Sequence, residues 1–139
     1  MAELRHLPDP AATDALGAEL ANLLEAGDLV VLDGDLGAGK TALARAVIRA
    51  LAEDADLDVP SPTFALVHQY GNGSRALYHF DMYRVETFDD LYSTGFFDYL
   101  DYGGILAIEW SENIRDVLPD NCKTVTIEKI DENTRKITY

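Results

Sequence analysis

The chain has 139 residues, 47% of them hydrophobic, and a formal net charge of −14 at pH 7. This length and composition suffice for one core, so we expect a single domain over residues 1–139. The acidic balance argues against a protein that grips DNA or RNA by itself, because phosphate backbones are held by clusters of Lys and Arg. Cys122 is the only cysteine, which excludes an internal disulfide and a thiolate metal cluster.

Apolar runs in the chain are all shorter than a membrane span, and the first residues lack the charged-then-apolar pattern of a signal peptide. We therefore expect a cytoplasmic protein that does not act at a membrane. Surplus acidity favours solubility or a basic protein partner.

A helix is expected near the start of the chain. Before the helix, Pro8 and Pro10 keep residues 7–10 extended, and Thr13 is the expected N-cap. Four leucines between residues 16 and 24 then share one helical face, and Gly27 is placed to end the helix.

Residues 34–41, Gly-Asp-Leu-Gly-Ala-Gly-Lys-Thr, match the P-loop (Walker A) pattern of two glycines followed by Lys and Thr. The apolar run at 29–32 predicts a buried strand before this loop. Leucine and valine at helical spacing predict a helix over 40–52 after it. Strand, loop and helix in this order let backbone N–H groups and the helix N-terminus hold an anion.

The pattern assigns a role to each loop residue. The backbone at Gly37, Ala38 and Gly39 is expected to surround phosphate, Lys40 to reach the terminal phosphates, and the Thr41 hydroxyl to coordinate Mg²⁺. ATP and Mg²⁺ are therefore the expected cofactors. The alternative is a ligand-free glycine-rich turn, but such a turn has no need for Lys followed by Thr.

After the P-loop helix, Ser61-Pro62-Thr63 opens a strand at 64–67, and a turn at 71–74 leads into a second strand at 76–80 as a hairpin. Two readings of Thr63 remain open. It belongs to an ordinary turn, or it is a switch residue that senses the γ-phosphate or its Mg²⁺.

Two predicted strands end in an acid. Asp81 follows the strand at 76–80, and Glu109 follows an apolar strand at 105–108. Either acid could pair with Thr41 around Mg²⁺ while the other acts on water. Asp81 has a further reading, in which it only accepts hydrogen bonds from the turn that follows it.

Three residues close to these acids in the sequence, His79, Arg84 and Trp110, each allow two interpretations. His79 is expected in the core, because a His and an Asp alone do not make a metal cluster. Arg84 either stabilises the negative charge of the phosphates or forms an ion pair with a carboxylate. Trp110 is a packing anchor or a contact surface, and packing is the more general role of a tryptophan.

The rest of the chain completes the predicted fold. Thr87 is expected to cap a short helix, and residues 111–118 to form another. Alternating residues at 124–130 and 135–139 predict a closing hairpin. Buried parallel-type strands and hairpin strands together predict an α/β fold, a single P-loop NTPase-like domain with a mixed parallel/antiparallel sheet and helices packed on it.

Four motifs in this order resemble the TsaE (YjeE-like) family: the P-loop at 34–41, Ser-Pro-Thr-Phe at 61–64, His-Phe-Asp-Met-Tyr-Arg at 79–84 and Glu-Trp at 109–110. The resemblance runs over nearly the whole chain. It implies a bacterial P-loop ATPase required for threonylcarbamoyl-adenosine in tRNA. In that family the ATPase associates with the TsaD–TsaB complex and supports its turnover, so tRNA is reached only indirectly, through the partners.

The resemblance also implies roles for individual residues. Phosphate binding falls to Lys40, the Mg²⁺ side to Thr41 and Glu109, the strand-end acid to Asp81, and the switch to Thr63. Trp110 is implied to lie beside the site, and Thr13 and Arg135 to approach the nucleotide.

One position departs from the family. Many relatives have a second hydroxyl residue after the loop threonine, where this chain has Ala42. A side-chain contact to the α-phosphate is lost there, while the backbone N–H of Ala42 still serves the nucleotide.

Two other functions remain open: a small-molecule kinase, and a nucleotide-gated binding module in which hydrolysis is incidental. A kinase needs a closing lid, and the chain shows no Arg-rich lid segment. For the ATPase, slow turnover alone and stimulation by a partner are expected, since no arginine finger can be assigned.

Overall fold

The computed structural model describes residues 2–34, 39–60, 62, 67–71 and 76–139. Seven strands within these residues form one sheet in the order β1-β7-β6-β2-β5-β4-β3, with both parallel and antiparallel pairs. The predicted α/β fold with a mixed sheet is confirmed. In chain order the elements are β1 (Ala2–His6), α1 (Pro10–Ala21), β2 (Leu29–Gly34), α2 (Lys40–Ala52), β3 (Val67–Tyr70), β4 (Leu77–Asp81), α3 (Phe88–Ser93), α4 (Phe96–Asp101), β5 (Ile105–Glu109), a 3₁₀ helix (Ser111–Val117), β6 (Lys123–Asp131) and β7 (Thr134–Thr138).

The chain divides into two compact units. The first consists of Met1–Leu24, Leu32–Pro60 and Thr124–Tyr139, and the second of Glu25–Val31 and Ser61–Lys123. Strand β2 contributes its last three residues to the first unit and its first three to the second. The single-domain organisation over 1–139 stays a prediction.

In the first unit, β7 pairs antiparallel with both β1 and β6. Ile127 of β6 lies opposite Ile137 of β7, and both side chains are buried. The closing hairpin predicted from the alternating pattern is thereby confirmed, whereas β1 was not predicted.

Helix α1 begins at Pro10, with Asp9 as its N-cap. The Asp9 carboxylate accepts a hydrogen bond of 3.0 Å from the backbone N–H of Ala12. The prediction of Thr13 as N-cap was wrong, because Asp9 caps equally well and Pro10 fits the first helical position, where a missing N–H costs nothing. The segment 7–10 is therefore extended only up to Asp9.

Helix α1 also ends earlier than predicted. Its last residue is Ala21, with Asn22 as C-cap, so Gly27 does not terminate it. Gly27 instead has φ +89° in the loop before β2, where its N–H donates to the Gly104 carbonyl.

The second unit contains β3, β4 and β5, with β4 antiparallel to β3 and parallel to β5. Its core is aromatic. Phe80 is fully buried and packs edge-to-face against Phe96 and Tyr99, with ring centroids 5.7 Å and 5.3 Å away. Such pairs add stabilisation of about 0.5–1.5 kcal/mol beyond the area they bury.

Helix α3 has the N-cap that the sequence predicted. The Thr87 hydroxyl accepts from the Asp90 N–H at 3.1 Å, and the Asp90 carboxylate accepts from the Thr87 N–H at 3.3 Å, which is a capping box. The helix predicted at 111–118 forms as a 3₁₀ helix, interrupted by the non-helical backbone of Ile114. Within the described part of the chain, no helix has the length and apolar composition needed to cross a membrane.

Gly17 lets α1 and α2 approach closely. A Cβ built on Gly17 would lie 2.7 Å from the backbone carbon of Ala46 and 2.9 Å from the nitrogen of Val47, closer than Cβ atoms come in folded proteins. Any side chain at this position forces the two helices apart.

Replacing Gly17 with Ala is expected to destabilise the protein by about 1–3 kcal/mol through overpacking. Helix propensity alone predicts the opposite sign, a gain of about 1 kcal/mol. Urea unfolding measures the difference. The control is Ala18→Gly, at an exposed position of the same helix, which reports the propensity effect alone. Stabilisation by Gly17→Ala would show that the helices do not touch here.

Asp28 ties the start of β2 to the start of β6 within the second unit. Its Oδ2 accepts from Lys123 Nζ and from the backbone N–H of Glu25, each at 2.7 Å. Burial by itself raises the pKa of Asp28, but these two donors outweigh it and hold the pKa below its ordinary value.

Because the folded-state pKa of Asp28 is lowered, the carboxylate stabilises the protein above its unfolded-state pKa, and that contribution is lost as the pH falls through the folded-state value. Asp28→Asn is expected to cost up to about 1 kcal/mol near neutral pH, since both partners are partly exposed. Urea unfolding at about pH 7 and about pH 2 measures the loss, which should vanish at the lower pH. An equal loss at both pH values would contradict the assignment.

Candidate functional site

The first unit presents the N-terminus of α2, which begins at Lys40. Gly39 is the N-cap, with φ 104° and ψ 21°, a left-handed conformation that glycine adopts at little cost. Gly39 supplies no side-chain cap for the backbone N–H groups of the first turn, which include that of Thr41. A helix end of this kind attracts anions through its N–H groups and its dipole.

Lys40 is buried, with 5% of its surface exposed, Thr41 is half-buried, and Ala42 is exposed. A buried lysine is unusual unless a negative group accompanies its charge. The arrangement therefore suits phosphate oxygens.

A cavity of about 140 Å³ lies beside this helix end, entirely within the first unit. Its walls are mostly apolar side chains, with a threonine and an arginine as the polar ones. This composition, apolar walls with few polar groups, is typical of small-ligand pockets. The lining residues are Leu7, Thr13, Leu16, Gly39, Ala42, Leu43, Ile127, Arg135 and Ile137.

Arg135 is held in place by its own hairpin. One of its terminal guanidinium nitrogens donates to the carbonyl of Asp131 at 2.8 Å and to that of Thr134 at 3.1 Å. With the guanidinium oriented by these carbonyls, Arg135 presents a fixed positive group at the wall of the cavity that Thr13 also lines.

The second unit presents two acids on neighbouring strands. Asp81 and Glu109 are the last residues of β4 and β5, and they are register partners in this parallel pair. Only 5% of Asp81 and 2% of Glu109 is exposed. Since the carboxyl ends of parallel strands share one edge of a sheet, both acids lie at the same edge, where ligands of α/β proteins bind.

Glu109 is paired with a histidine. His79 Nε2 lies 2.7 Å from Glu109 Oε2, and His79 has no exposed surface. A carboxylate only accepts, so the Nε2–H of His79 donates this hydrogen bond. The expected core location of His79 is confirmed, and the structure adds its bond to Glu109.

Asp81 and Trp110 are fixed by the turns that follow their strands. Asp81 Oδ1 accepts from the backbone N–H of Tyr83 at 2.9 Å. Trp110 has φ 59° and ψ 50°, a left-handed conformation that costs a non-glycine residue about 1–3 kcal/mol and is concentrated at functional sites. Its ring meets that of Tyr83 with centroids 5.0 Å apart, and Tyr83 is exposed.

The available oxygen donors suit Mg²⁺ in chemistry. In the second unit, the carboxylates of Asp81 and Glu109 are hard ligands, and protein Mg²⁺ sites often use one or two carboxylates completed by substrate phosphates and water. In the first unit, the Thr41 hydroxyl is a hard ligand as well. Among the residues that the structure describes, no group of three or more His, Cys, Asp or Glu is arranged to hold a metal by itself. The two carboxylates of the second unit therefore fit a metal that arrives with a phosphate ligand.

The predicted site residues thus fall into two groups, one within each unit. In the first unit, Thr13, Gly39, Ala42 and Arg135 line one cavity, and Lys40 and Thr41 open α2 next to them. In the second unit, Asp81, Glu109 and Trp110 occupy adjoining positions at the ends of β4 and β5. Three predicted residues, Gly37, Ala38 and Thr63, lie outside the described residues.

Sequence reasoning missed the apolar part of the cavity and the His79–Glu109 pair. The cavity residues Leu7, Ile127 and Ile137 belong to no sequence motif, and from the sequence alone they look like ordinary core residues. A signal for the pair did exist: two successive strands ended in an acid, and His79 was two residues before Asp81. Only the strand register could turn that signal into a contact.

Comparison with known proteins identifies the family. The protein-family model described as "Threonylcarbamoyl adenosine biosynthesis protein TsaE" matches residues 7–137 of this chain. Three similar proteins carry the name tRNA threonylcarbamoyladenosine biosynthesis protein TsaE. The one from Rickettsia felis is 38% identical over 123 residues, 88% of this chain and 71% of the relative. That from Synechocystis is 41% identical over 111 residues, 78% and 69% of the two chains, and that from Bacillus subtilis is 33% identical over 131 residues, 94% and 80%.

The fold agrees with a solved structure. The crystal structure of YdiB from Bacillus subtilis superposes with a TM-score of 0.74 at 26% identity, covering 99% of this chain and 83% of that one. The family model over residues 7–137 and the curated relatives show that this chain belongs to the TsaE family.

Proposed function

We propose that this chain is a Mg²⁺-dependent ATPase that serves tRNA threonylcarbamoyladenosine biosynthesis as an accessory to a TsaD–TsaB-type complex. The observation that carries the proposal is the start of α2, where Gly39, Lys40 and Thr41 stand beside the cavity lined by Thr13 and Arg135. Family membership over residues 7–137 supports it, because relatives are named for this pathway.

The phosphates bind at the N-terminus of α2 in this proposal. Lys40 contributes a charge that is almost fully desolvated, so its attraction for phosphate is weakened little by water. The first-turn N–H groups and the helix dipole add to it. The nucleoside occupies the adjacent cavity, whose apolar walls suit a flat base and whose Thr13 and Arg135 offer polar contacts.

Hydrolysis needs a group that orients water and one that holds the metal, and the two strand-end acids supply them. When Mg²⁺ is bound, it neutralises charge on the transferring phosphoryl group. The residues of this chain do the rest. In the first unit, Lys40 binds the terminal phosphates and the Thr41 hydroxyl serves as a metal ligand. In the second unit, one acid serves as a metal ligand and the other accepts a hydrogen bond from the attacking water.

Partners complete the activity. No arginine finger is assigned among the residues of the site, so slow hydrolysis alone and stimulation by the TsaD–TsaB complex are expected. A net charge of −14 leaves contact with tRNA to these partners. The cytoplasmic location expected from the sequence belongs to the same proposal.

Replacing Lys40 with Ala is expected to weaken ATP binding about 10- to 100-fold, since a charged hydrogen bond to phosphate is worth about 1.5–3 kcal/mol. Calorimetric titration with Mg²⁺ and a non-hydrolysable ATP analogue measures the affinity. The matched control is Lys129→Ala, which removes an exposed lysine of the same unit and should leave affinity unchanged. Equal affinity of Lys40→Ala and the control would refute the phosphate site.

Replacing either acid with its amide, Asp81→Asn or Glu109→Gln, is expected to lower kcat by about 10²-fold or more, while ATP still binds. Phosphate release, measured with and without the TsaD–TsaB complex, tests this. Glu112→Gln, at an exposed position of the same unit, serves as the control.

Two outcomes would select another function. Transfer of the γ-phosphoryl group of labelled ATP to a metabolite instead of water would make the protein a small-molecule kinase. Full tRNA modification in cells that carry only Glu109→Gln would make hydrolysis dispensable and leave a nucleotide-gated binding module.

A further inference from the structure

His79 is buried inside the second unit next to an acid that the proposed hydrolysis needs. It has 0% exposed surface, and its Nε2 lies 2.7 Å from Glu109 Oε2. Its other ring nitrogen, Nδ1, has no hydrogen-bond partner among the described residues. Burying an imidazole with one nitrogen unsatisfied costs free energy, and a leucine or phenylalanine would fill such a core position without that cost. Among the described residues, the contact with Glu109 is the polar interaction that offsets this cost.

The strand register explains why these two residues meet. His79 lies opposite Ala107 in the parallel pair of β4 and β5, and Glu109 is two positions further along β5 on the same face. Ala107 has too small a side chain to fill the space between them. His79 therefore reaches diagonally across to the carboxylate at the end of the next strand.

A hydrogen bond at this position controls the orientation of the carboxylate. Rotation about the last side-chain torsion of a glutamate is soft, so packing around the methylene groups alone does not fix the two oxygens. A charge-assisted bond from Nε2–H to Oε2 does fix them. The two side chains are themselves 0% and 2% exposed, so water does not compete for this bond.

We propose that His79 is a positioning residue: its Nε2–H holds Oε2 of Glu109 and thereby sets the orientation in which Glu109 acts on the metal or on water. His79 does not touch the nucleotide and carries no proton in the reaction. The inference rests on the proposed ATPase function for its kinetic consequence, but the hydrogen bond itself can be tested without it.

Two amide variants form a matched pair. In His79→Gln the amide nitrogen falls near the position of Nε2, so the donor to Glu109 is retained. In His79→Asn the shorter side chain places its nitrogen near Nδ1, so that donor is lost. Both variants bury one neutral amide in place of the ring, and they differ by a single methylene group.

His79→Asn is expected to lower kcat for phosphate release about 10-fold or more, the usual cost of removing an outer partner of a functional side chain, with little change in KM for ATP. His79→Gln is expected to retain most of the wild-type kcat. A purely structural role for His79 predicts that both variants lose stability and activity together, which urea unfolding and kinetics on the same samples will show.

A double-mutant cycle tests whether His79 acts through Glu109. Adding His79→Asn to Glu109→Gln is expected to cause no further loss of kcat, because the group that His79 positions is already disabled. Additive losses would overturn the proposal, and so would equal kcat values for His79→Gln and His79→Asn.

A readout without ATP separates this inference from the proposed function. Imidazole ¹⁵N resonances of the wild-type protein should show His79 protonated at Nε2, and Glu109→Ala should shift that signal. If the signal ignores Glu109→Ala, the pair does not exist in solution and the inference fails even for an active ATPase. If the signal responds but the wild type releases no phosphate with Mg²⁺ and the TsaD–TsaB complex, the proposed ATPase fails, and with it the kinetic role of His79, while the pair itself stands.

Discussion

Parallel pairing of β4 with β5 is the constraint on which the chemistry of the second unit depends. It brings Asp81 and Glu109, the last residues of the two strands, into register at one edge of the sheet. Two nearly buried carboxylates side by side are unfavourable unless each has a partner. The structure gives each a donor: the N–H of Tyr83 bonds Asp81, and the ring of His79 bonds Glu109. These donors let the fold keep two acids where a core would otherwise favour apolar side chains.

In the first unit, backbone conformation shapes the candidate site. Gly39 turns the chain into α2 with a conformation that a side chain would strain, and Lys40 follows as the first helical residue with its ammonium group buried. The close approach of α1 and α2 at Gly17 and the pairing of β6 with β7 then form the walls of the adjacent cavity. The result is a helix N-terminus whose N–H groups suit an anion, beside a cavity whose walls are mostly apolar.

Trp110, directly after Glu109, has a strained backbone conformation. A tryptophan in a left-handed conformation directly after Glu109 costs stability that a turn of ordinary sequence would avoid. The rings of Trp110 and Tyr83 contact each other, with Trp110 half-buried and Tyr83 exposed. Both aromatic residues lie within two positions of a strand-end acid, Tyr83 after Asp81 and Trp110 after Glu109.

Local patterns in the sequence predicted most elements, and the candidate residues came from motifs together with the family resemblance. The strand before the P-loop, the helix at Lys40–Ala52, the capping box at Thr87 and the closing hairpin follow from periodicity and caps that act over a few residues. The start of α1 was missed because Asp9 and Thr13 are both good caps, and β1 because an edge strand is formed by its pairing with β7. Only the tertiary structure decided the register that joins His79 to Glu109 and the cavity that joins Thr13 to Arg135. The members of these two pairs are 30 and 122 positions apart in the sequence, and no local rule brings them together.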